Sequence, residues 1–185
     1  KCPKGPDHEW QTQIDYRALQ NKNCPFCSNR RASVTNRLDI LEKQIAKQWH
    51  PTKNEKYKPR EFSVSSTKKV WWKCPKGPDH EWQAPIDSRT KYGKYGCPFC
   101  VNKKVSVTNS LEKLYPNIAK QWHPKKNGKL LPSLVTYSNG KSVWWKCPKG
   151  PDHEWQTSPF NRTRTKHAAC PFCTNSLVSV TNSLE

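Results

Sequence analysis

Ten residues, KCPKGPDHEW, recur three times in this chain, beginning at Lys1, Lys73 and Lys146. Each copy is followed by Cys-Pro-Phe-Cys, at Cys24 to Cys27, Cys97 to Cys100 and Cys170 to Cys173. Every copy therefore brings three cysteines and one histidine in a fixed order. The spacing is C-x5-H-x15-C-x2-C for Cys2, His8, Cys24 and Cys27. It is C-x5-H-x16-C-x2-C for Cys74, His80, Cys97 and Cys100, and again for Cys147, His153, Cys170 and Cys173. Two short-range pairs joined by a loop can close a tetrahedron around one ion, and three thiolates with an imidazole favour zinc over magnesium or calcium. An iron-sulfur cluster suits the set less well, because histidine would have to replace a thiolate. Buried thiols beside a chance histidine would not recur in phase. Nine cysteines are an odd number, so disulfides cannot pair them all.

The step between copies is 72 and then 73 residues, which predicts an array of small units. The expected boundaries are 1–72, 73–145 and 146–185, the last copy being truncated. A 33% apolar fraction is thin for one packed core, and units this small usually need a staple such as a metal. Val70-Trp71-Trp72-Lys73 and Val143-Trp144-Trp145-Lys146 read as strands entering the first cysteine. Pro75-Lys76-Gly77-Pro78-Asp79 reads as a turn and Glu81-Trp82-Gln83 as the return strand. A basic polar loop is expected next, and then the Cys-Pro-Phe-Cys knuckle. Leu38, Leu41, Ile45 and Trp49, repeated as Leu111, Leu114, Ile118 and Trp122, predict one apolar helix stripe. Thr35-Asn36 and Thr108-Asn109 are the candidate N-caps, and Pro116 predicts a kink or a restart. His50 and His123 recur in Gln-Trp-His-Pro and are expected to pack or hydrogen-bond at a helix end.

Four protein ligands leave no open coordination position, so the expected zinc is structural and not catalytic. A cytidine-deaminase signature fails here: Glu9 directly follows His8, the proline lies inside the cysteine pair, and Cys2 fills the fourth position. No H-E-x-x-H, carboxylate cluster or glycine-rich phosphate loop is present, and no enzymatic activity is expected. Asp7, Glu9, Asp79, Glu81, Asp152 and Glu154 stand beside the metal histidines, where orienting the imidazole is their expected role.

The combination of Trp71-Trp72-Lys73-Cys74, Gly77, His80-Glu81-Trp82, Arg89, Cys97-Pro98-Phe99-Cys100 and a helix ending in Trp122-His123-Pro124 resembles the probable zinc-ribbon domain family. These are tandem modules without a firmly assigned activity, found in prokaryotes, large viruses and some eukaryotes, sometimes beside endonuclease-like domains. The resemblance covers the whole chain and implies zinc ligation by Cys74, His80, Cys97, Cys100 and their copies. One departure is Pro78-Asp79, which lengthens the first knuckle. The expected fold class is a small metal-stabilised α+β protein of tandem zinc-ribbon or treble-clef-like repeats, each a zinc-knuckle β-hairpin plus a helix. A helix after the second cysteine pair is equally compatible with a ribbon and with a treble clef.

Lys+Arg number 33 against 14 Asp+Glu, a formal charge of +19. Three Cys3His zinc sites would each carry about −1, leaving roughly +16. Such a charge, spread through every repeat among aromatics, points to a polyanion, DNA or RNA, gripped through its phosphates. Arg17, Arg89 and Arg162 recur fifteen residues after the first cysteine of each copy, on what reads as an exposed loop. With Lys4, Lys76, Lys149, Lys91, Lys94, Arg164 and Lys166 they form the expected phosphate-binding set. Lys22, Arg30, Arg31, Lys103 and Lys104 extend it. In each Trp pair, strand alternation should place one ring inward and one outward. Trp10, Trp82 and Trp155 are expected in the core.

Two other functional readings stay open: an adaptor inside a large nucleoprotein assembly, and an accessory region of a nuclease whose catalytic domain lies elsewhere. No apolar run approaches the roughly 20 residues of a membrane span, and no signal peptide is visible. Free thiols predict a reducing, intracellular compartment. The chain starts without Met and its ends are out of phase with the repeat, which reads as a window on a longer protein.

Overall fold

The computed structural model describes residues 1–18, 23–91, 96–164 and 169–183. Two compact units emerge, Lys1–Cys97 and Pro98–Glu185. Among the described residues the first holds α1 (Ile14–Ala18), α2 (Leu38–Leu41), α3 (Lys43–Ala46), a 3-10 turn (Pro59–Glu61), β1 (Lys69–Lys73), β2 (Glu81–Pro85) and α4 (Ile86–Thr90). The second repeats the order as α5 (Leu111–Leu114), α6 (Pro116–Ala119), a 3-10 turn (Pro132–Leu134), β3 (Val143–Lys146), β4 (Glu154–Thr157) and α7 (Pro159–Arg164). None of the described helices is long and apolar enough to cross a membrane.

Each sheet is an antiparallel hairpin, with Trp72 opposite Trp82 and Trp145 opposite Trp155. The lysine-glycine-proline-aspartate turn closes it, since Cys74 N donates to His80 O and Cys147 N to His153 O, both at 3.0 Å. Side-chain alternation sends Val70 and Trp72 inward and leaves Trp71 half-buried, as expected of a strand with one covered face. Trp72 and Trp145 are fully buried. Each removes on the order of 200 Å² from water, an upper estimate of about 5 kcal/mol at about 25 cal/mol per Å². Their indole N–H groups donate to Ala84 O and Thr157 O, so burial strands no polar atom.

The helix expected in the first unit is two short ones, and that of the second takes the restart expected at Pro116. The backbone leaves the helical region at Glu42 (φ −129°, ψ 56°) and at Tyr115 (φ −134°, ψ 62°). Pro116 then starts α6 at its first position, where the missing N–H costs nothing. The first unit breaks at the same place without a proline, so tertiary packing sets the break. Leu38 and Leu111 are fully buried, whereas Leu41 and Leu114 are exposed. The cap assignment also changes. Ser110, not Thr108-Asn109, caps α5 by accepting from Lys113 N, and Arg37 precedes α2 without a side-chain cap. Asn36 and Asn109 instead reach back to the knuckle, donating to Phe26 O and Phe99 O.

The segment after the second short helix runs along the open edge of the hairpin: His50 N donates to Trp71 O and Lys73 N to Gln48 O. Asn54 completes this edge by accepting from Trp71 N and donating to Trp71 O, and Asn127 does the same for Trp144. In the second unit Leu111, Val135, Val143, Trp145, Trp155, Cys147 and Cys170 form one core, so the oily interior is continuous with the cysteine cluster.

Candidate metal centres

All twelve expected ligands come together in three groups: Cys2, His8, Cys24 and Cys27; Cys74, His80, Cys97 and Cys100; Cys147, His153, Cys170 and Cys173. Within each group the ligand atoms lie within 4.8 Å of one another. A tetrahedral zinc with Zn–S of about 2.3 Å and Zn–N of about 2.0 Å has S···S edges of about 3.8 Å and S···N edges of about 3.6 Å. The observed edges match. Cys2 Sγ to Cys27 Sγ is 3.7 Å, and His8 Nδ1 to Cys24 and Cys27 Sγ is 3.7 and 3.6 Å. Cys147 Sγ to Cys173 Sγ is 3.7 Å, and His153 Nδ1 lies 3.6 Å from both Cys170 and Cys173. His80 Nδ1 lies 3.5 Å from Cys97 Sγ. Local desolvation and the neighbouring sulfurs push the Cys27 and Cys173 thiols up to about 11. Three thiolates this close repel one another, and a dication removes that penalty.

The local sequence explains this geometry. In each knuckle the residue after the second cysteine is followed by an asparagine in the left-handed region, Asn29, Asn102 and Asn175, with φ between 56 and 59°. Asparagine tolerates that conformation better than most residues. Phe26 and Phe172 stack on the ligating imidazoles at 5.0 Å. Gly5, Gly77 and Gly150 are required by close approach: a Cβ there would stand 2.5 Å from the Nε2 of His8, His80 or His153.

A family described as a probable treble clef zinc finger domain matches residues 1–30, 45–103 and 118–176. The chain belongs to this family. No curated protein is similar enough to the chain to match it. The second and third treble clef matches begin in α3 and α6 and end just past a cysteine pair, so each takes in one whole hairpin with its edge segment.

With Nδ1 facing the sulfurs, the His8 and His153 imidazoles offer their other nitrogen to hydroxyls, not to the carboxylates expected from sequence. His8 Nε2 lies 3.1 Å from Ser33 Oγ and 2.9 Å from Thr35 Oγ1; His153 Nε2 lies 3.0 and 2.7 Å from Ser179 and Thr181. Such a partner fixes the tautomer and ring orientation of a ligating histidine. Asp7 and Asp152 act one step back, accepting from Val34 N and Val180 N and so holding the Ser-Val-Thr-Asn loop in place. That tetrapeptide recurs at Ser33, Ser106 and Ser179, a signal in the sequence that capping arguments misassigned.

Glu81 and Glu154 serve a different clamp. Lys73 and Lys53 bracket the Glu81 carboxylate, and His50 Nε2 stands 3.2 Å from it. His50 Nδ1 accepts from Thr52 N and Lys53 N, so its proton sits on Nε2, toward the glutamate. His123, Lys126, Lys146 and Glu154 repeat the arrangement. The lysines, foremost Lys53 and Lys126, hold both carboxyls down to about 2. A depressed carboxyl contributes stability above its unfolded value of 4.5 and loses it as pH falls toward 2. Parent and Glu154→Gln proteins should therefore differ in melting temperature by a constant amount from neutral pH down to 4.5. The gap should close only below that; a gap that closes between pH 7 and 5 would refute the clamp.

The recurrent arginines are where sequence and structure part most. Arg89 and Arg162 do not sit on an exposed loop; they lie on α4 and α7 and are only 6% and 3% exposed. Arg89 lies 5.0 Å from both Trp72 and Trp82, and its Nη2 donates to Gln48 Oε1 at 2.8 Å. Arg162 lies 5.1 Å from Trp145 and Trp155 and donates to Gln121 Oε1 at 2.7 Å. Burial lowers both guanidinium pKa values, against the attraction of the Cys97 and Cys74, or Cys170 and Cys147, sulfurs. A cation sandwiched between two rings cannot reach a phosphate. Arg17, whose copy has no Trp-Trp pair before Cys2 in this sequence, is exposed, 5.5 Å from the Trp10 ring. Lys4, Lys76, Lys149, Lys91 and Arg164 are exposed. Lys22, Lys94 and Lys166 lie outside the described residues.

Proposed function

We propose that this tandem structural-zinc module binds nucleic acid through phosphate contacts. The observation that carries the reading is where the cations stand once the buried pair is removed from the count. Lys4, Lys76 and Lys149 occupy the same exposed position on the three knuckle turns, and no carboxylate pairs with them among the described residues. The carboxylates that do form ion pairs are taken by other cations: Glu9 by Lys1, Asp39 by Arg37, and Glu81 and Glu154 by their lysine brackets. Repeated, unpaired lysines at one spacing suit a polymer of phosphates. Each cluster commits all four ligands to its ion, so the reading assigns the chain no chemistry of its own.

The test is salt dependence. Binding to matched DNA and RNA, single-stranded and duplex, should weaken linearly in a plot of log affinity against log salt. Changing Lys4, Lys76 and Lys149 together to Ala should reduce that slope by about three while native mass spectrometry still counts three zinc ions. A chain that binds neither nucleic acid at low salt, or whose affinity ignores salt, would remove the proposal.

A further inference from the structure

The first unit contains a polar groove of about 830 Å³ lined by three separate stretches of chain. One wall is the tail of the first cysteine knuckle, with Arg30 and Arg31. The second is the connector, with Arg60, Ser65, Ser66 and Thr67. The third is Lys91, at the end of α4. Cross-links fix these stretches relative to one another. Ser63 Oγ donates to Asn29 O, joining knuckle to connector, while Asp87 N donates to Ser66 O and Thr90 Oγ1 to Val64 O, joining connector to α4. The groove is therefore assembled before any ligand arrives.

Its chemistry is cationic and hydroxylic. Arg31, Arg60 and Lys91 are exposed, and their charged groups find no carboxylate among the described residues. Arg30 is anchored to Ser28 Oγ and Asn23 O. The one acid among the described lining residues, Glu61, is already accepting from Lys58 N. Four cations against one occupied carboxylate leave a net of three positive charges. Seventy-three residues on, Lys103, Lys104 and Arg164 stand where Arg30, Arg31 and Lys91 stand, while the places of Arg60 and Glu61 are taken by Ser133 and Leu134.

We infer that this groove, built where one treble clef module joins the next, is a seat for consecutive phosphates of a nucleic-acid backbone. The inference rests on the nucleic-acid reading above and gives it a location. Among the described residues Phe62 is the one aromatic in the lining, and it is half-buried against Trp49 and Tyr57. The groove therefore offers charge and hydroxyls to phosphates and little ring surface to bases, and its binding is indifferent to sequence.

The experiment compares the full chain with two variants that each lose three charges: Arg31→Ala/Arg60→Ala/Lys91→Ala in the groove, and Lys4→Ala/Lys76→Ala/Lys149→Ala on the knuckle turns. The probes are a fluorescein-labelled DNA duplex, its single strands and inorganic polyphosphate, with zinc content confirming that each variant is folded. The groove variant should bind every probe on the order of a hundredfold more weakly at low salt, and the knuckle variant by a smaller factor. Equal losses in the two variants would reduce the effect to net charge and overturn the groove. If the parent chain takes polyphosphate through the groove residues but neither nucleic acid, the groove stands and the nucleic-acid reading falls. If it takes no probe at all, both fall.

Discussion

Chelation of zinc should unfold this protein. Each compact unit buries two tryptophans, Trp72 with Trp82 or Trp145 with Trp155, and a few aliphatics, and in the second unit that core runs directly into Cys147 and Cys170. A core of this size does not outweigh a backbone and side-chain ordering cost of about 1.5 kcal/mol per residue by itself. Structural zinc in small domains supplies an apparent 10 or so kcal/mol at neutral pH, which is the order of the whole stability of a small protein. The sharper form of the test is local. Replacing Cys97 by Ser removes one of four ligands from the second group. It should drop the zinc count from three to two and unfold the second repeat while the others keep their ion, because contacts in an array are mostly between neighbours. Native mass spectrometry and circular dichroism on the same sample read both quantities. Retention of the full fold after exhaustive chelation would overturn the structural role of the metal, and loss of all three ions on one substitution would mean the array folds as a single cooperative body.

The second large effect belongs to a residue that does not touch the ion. Arg162 is buried between Trp145 and Trp155, and among the described residues it has no carboxylate partner and its Nε and Nη1 find no hydrogen-bond acceptor. An isolated buried cation is costly, so its charge must be answered by something nearby. The cysteine sulfurs of the same module supply the attraction. A zinc held by three thiolates and one imidazole carries about −1, and one guanidinium balances it. Arg162→Met should therefore destabilise its module by about 3 kcal/mol or more, the usual consequence of breaking a buried charge pair from one side. It should also weaken zinc retention against a competing chelator. Arg162→Lys restores the charge without the flat stack and should recover part of the zinc affinity. If Met rescues better than Lys, the arginine is packing material and the charge argument fails. Arg89, with Trp72, Trp82, Cys74 and Cys97 around it, should behave the same way.

How legible the protein was depends on the range over which each feature is written. The hairpins, their register and the inward tryptophan follow from period-two alternation over a handful of residues around a turn that proline and glycine impose. The short helices were legible as helical, and Pro116 marked the restart in the second unit, but the interruption at Glu42 has no local marker and the stripe counts Leu41 as buried when it is exposed. The imidazole partners Ser33 and Thr35 lie 25 and 27 residues from His8, and Gln48 lies 41 residues from Arg89. No helix or strand periodicity reaches that far, and only the recurrence of Ser-Val-Thr-Asn from copy to copy marks the imidazole partners.

The ligand sets, their number and their tetrahedral closure were determined by sequence alone, because a metal site is specified by residue type and short spacing, and three copies in phase exclude coincidence. Whether a recurrent arginine faces water or a pair of indoles was decided by tertiary structure. A charge pattern records that a cation is present, while its exposure depends on what the chain folds over it. Here two rings and a cluster of sulfurs accept the guanidinium on terms that water would otherwise offer, so Arg89 and Arg162 are withdrawn from the proposed phosphate-binding surface, which is left to the knuckle lysines and the groove.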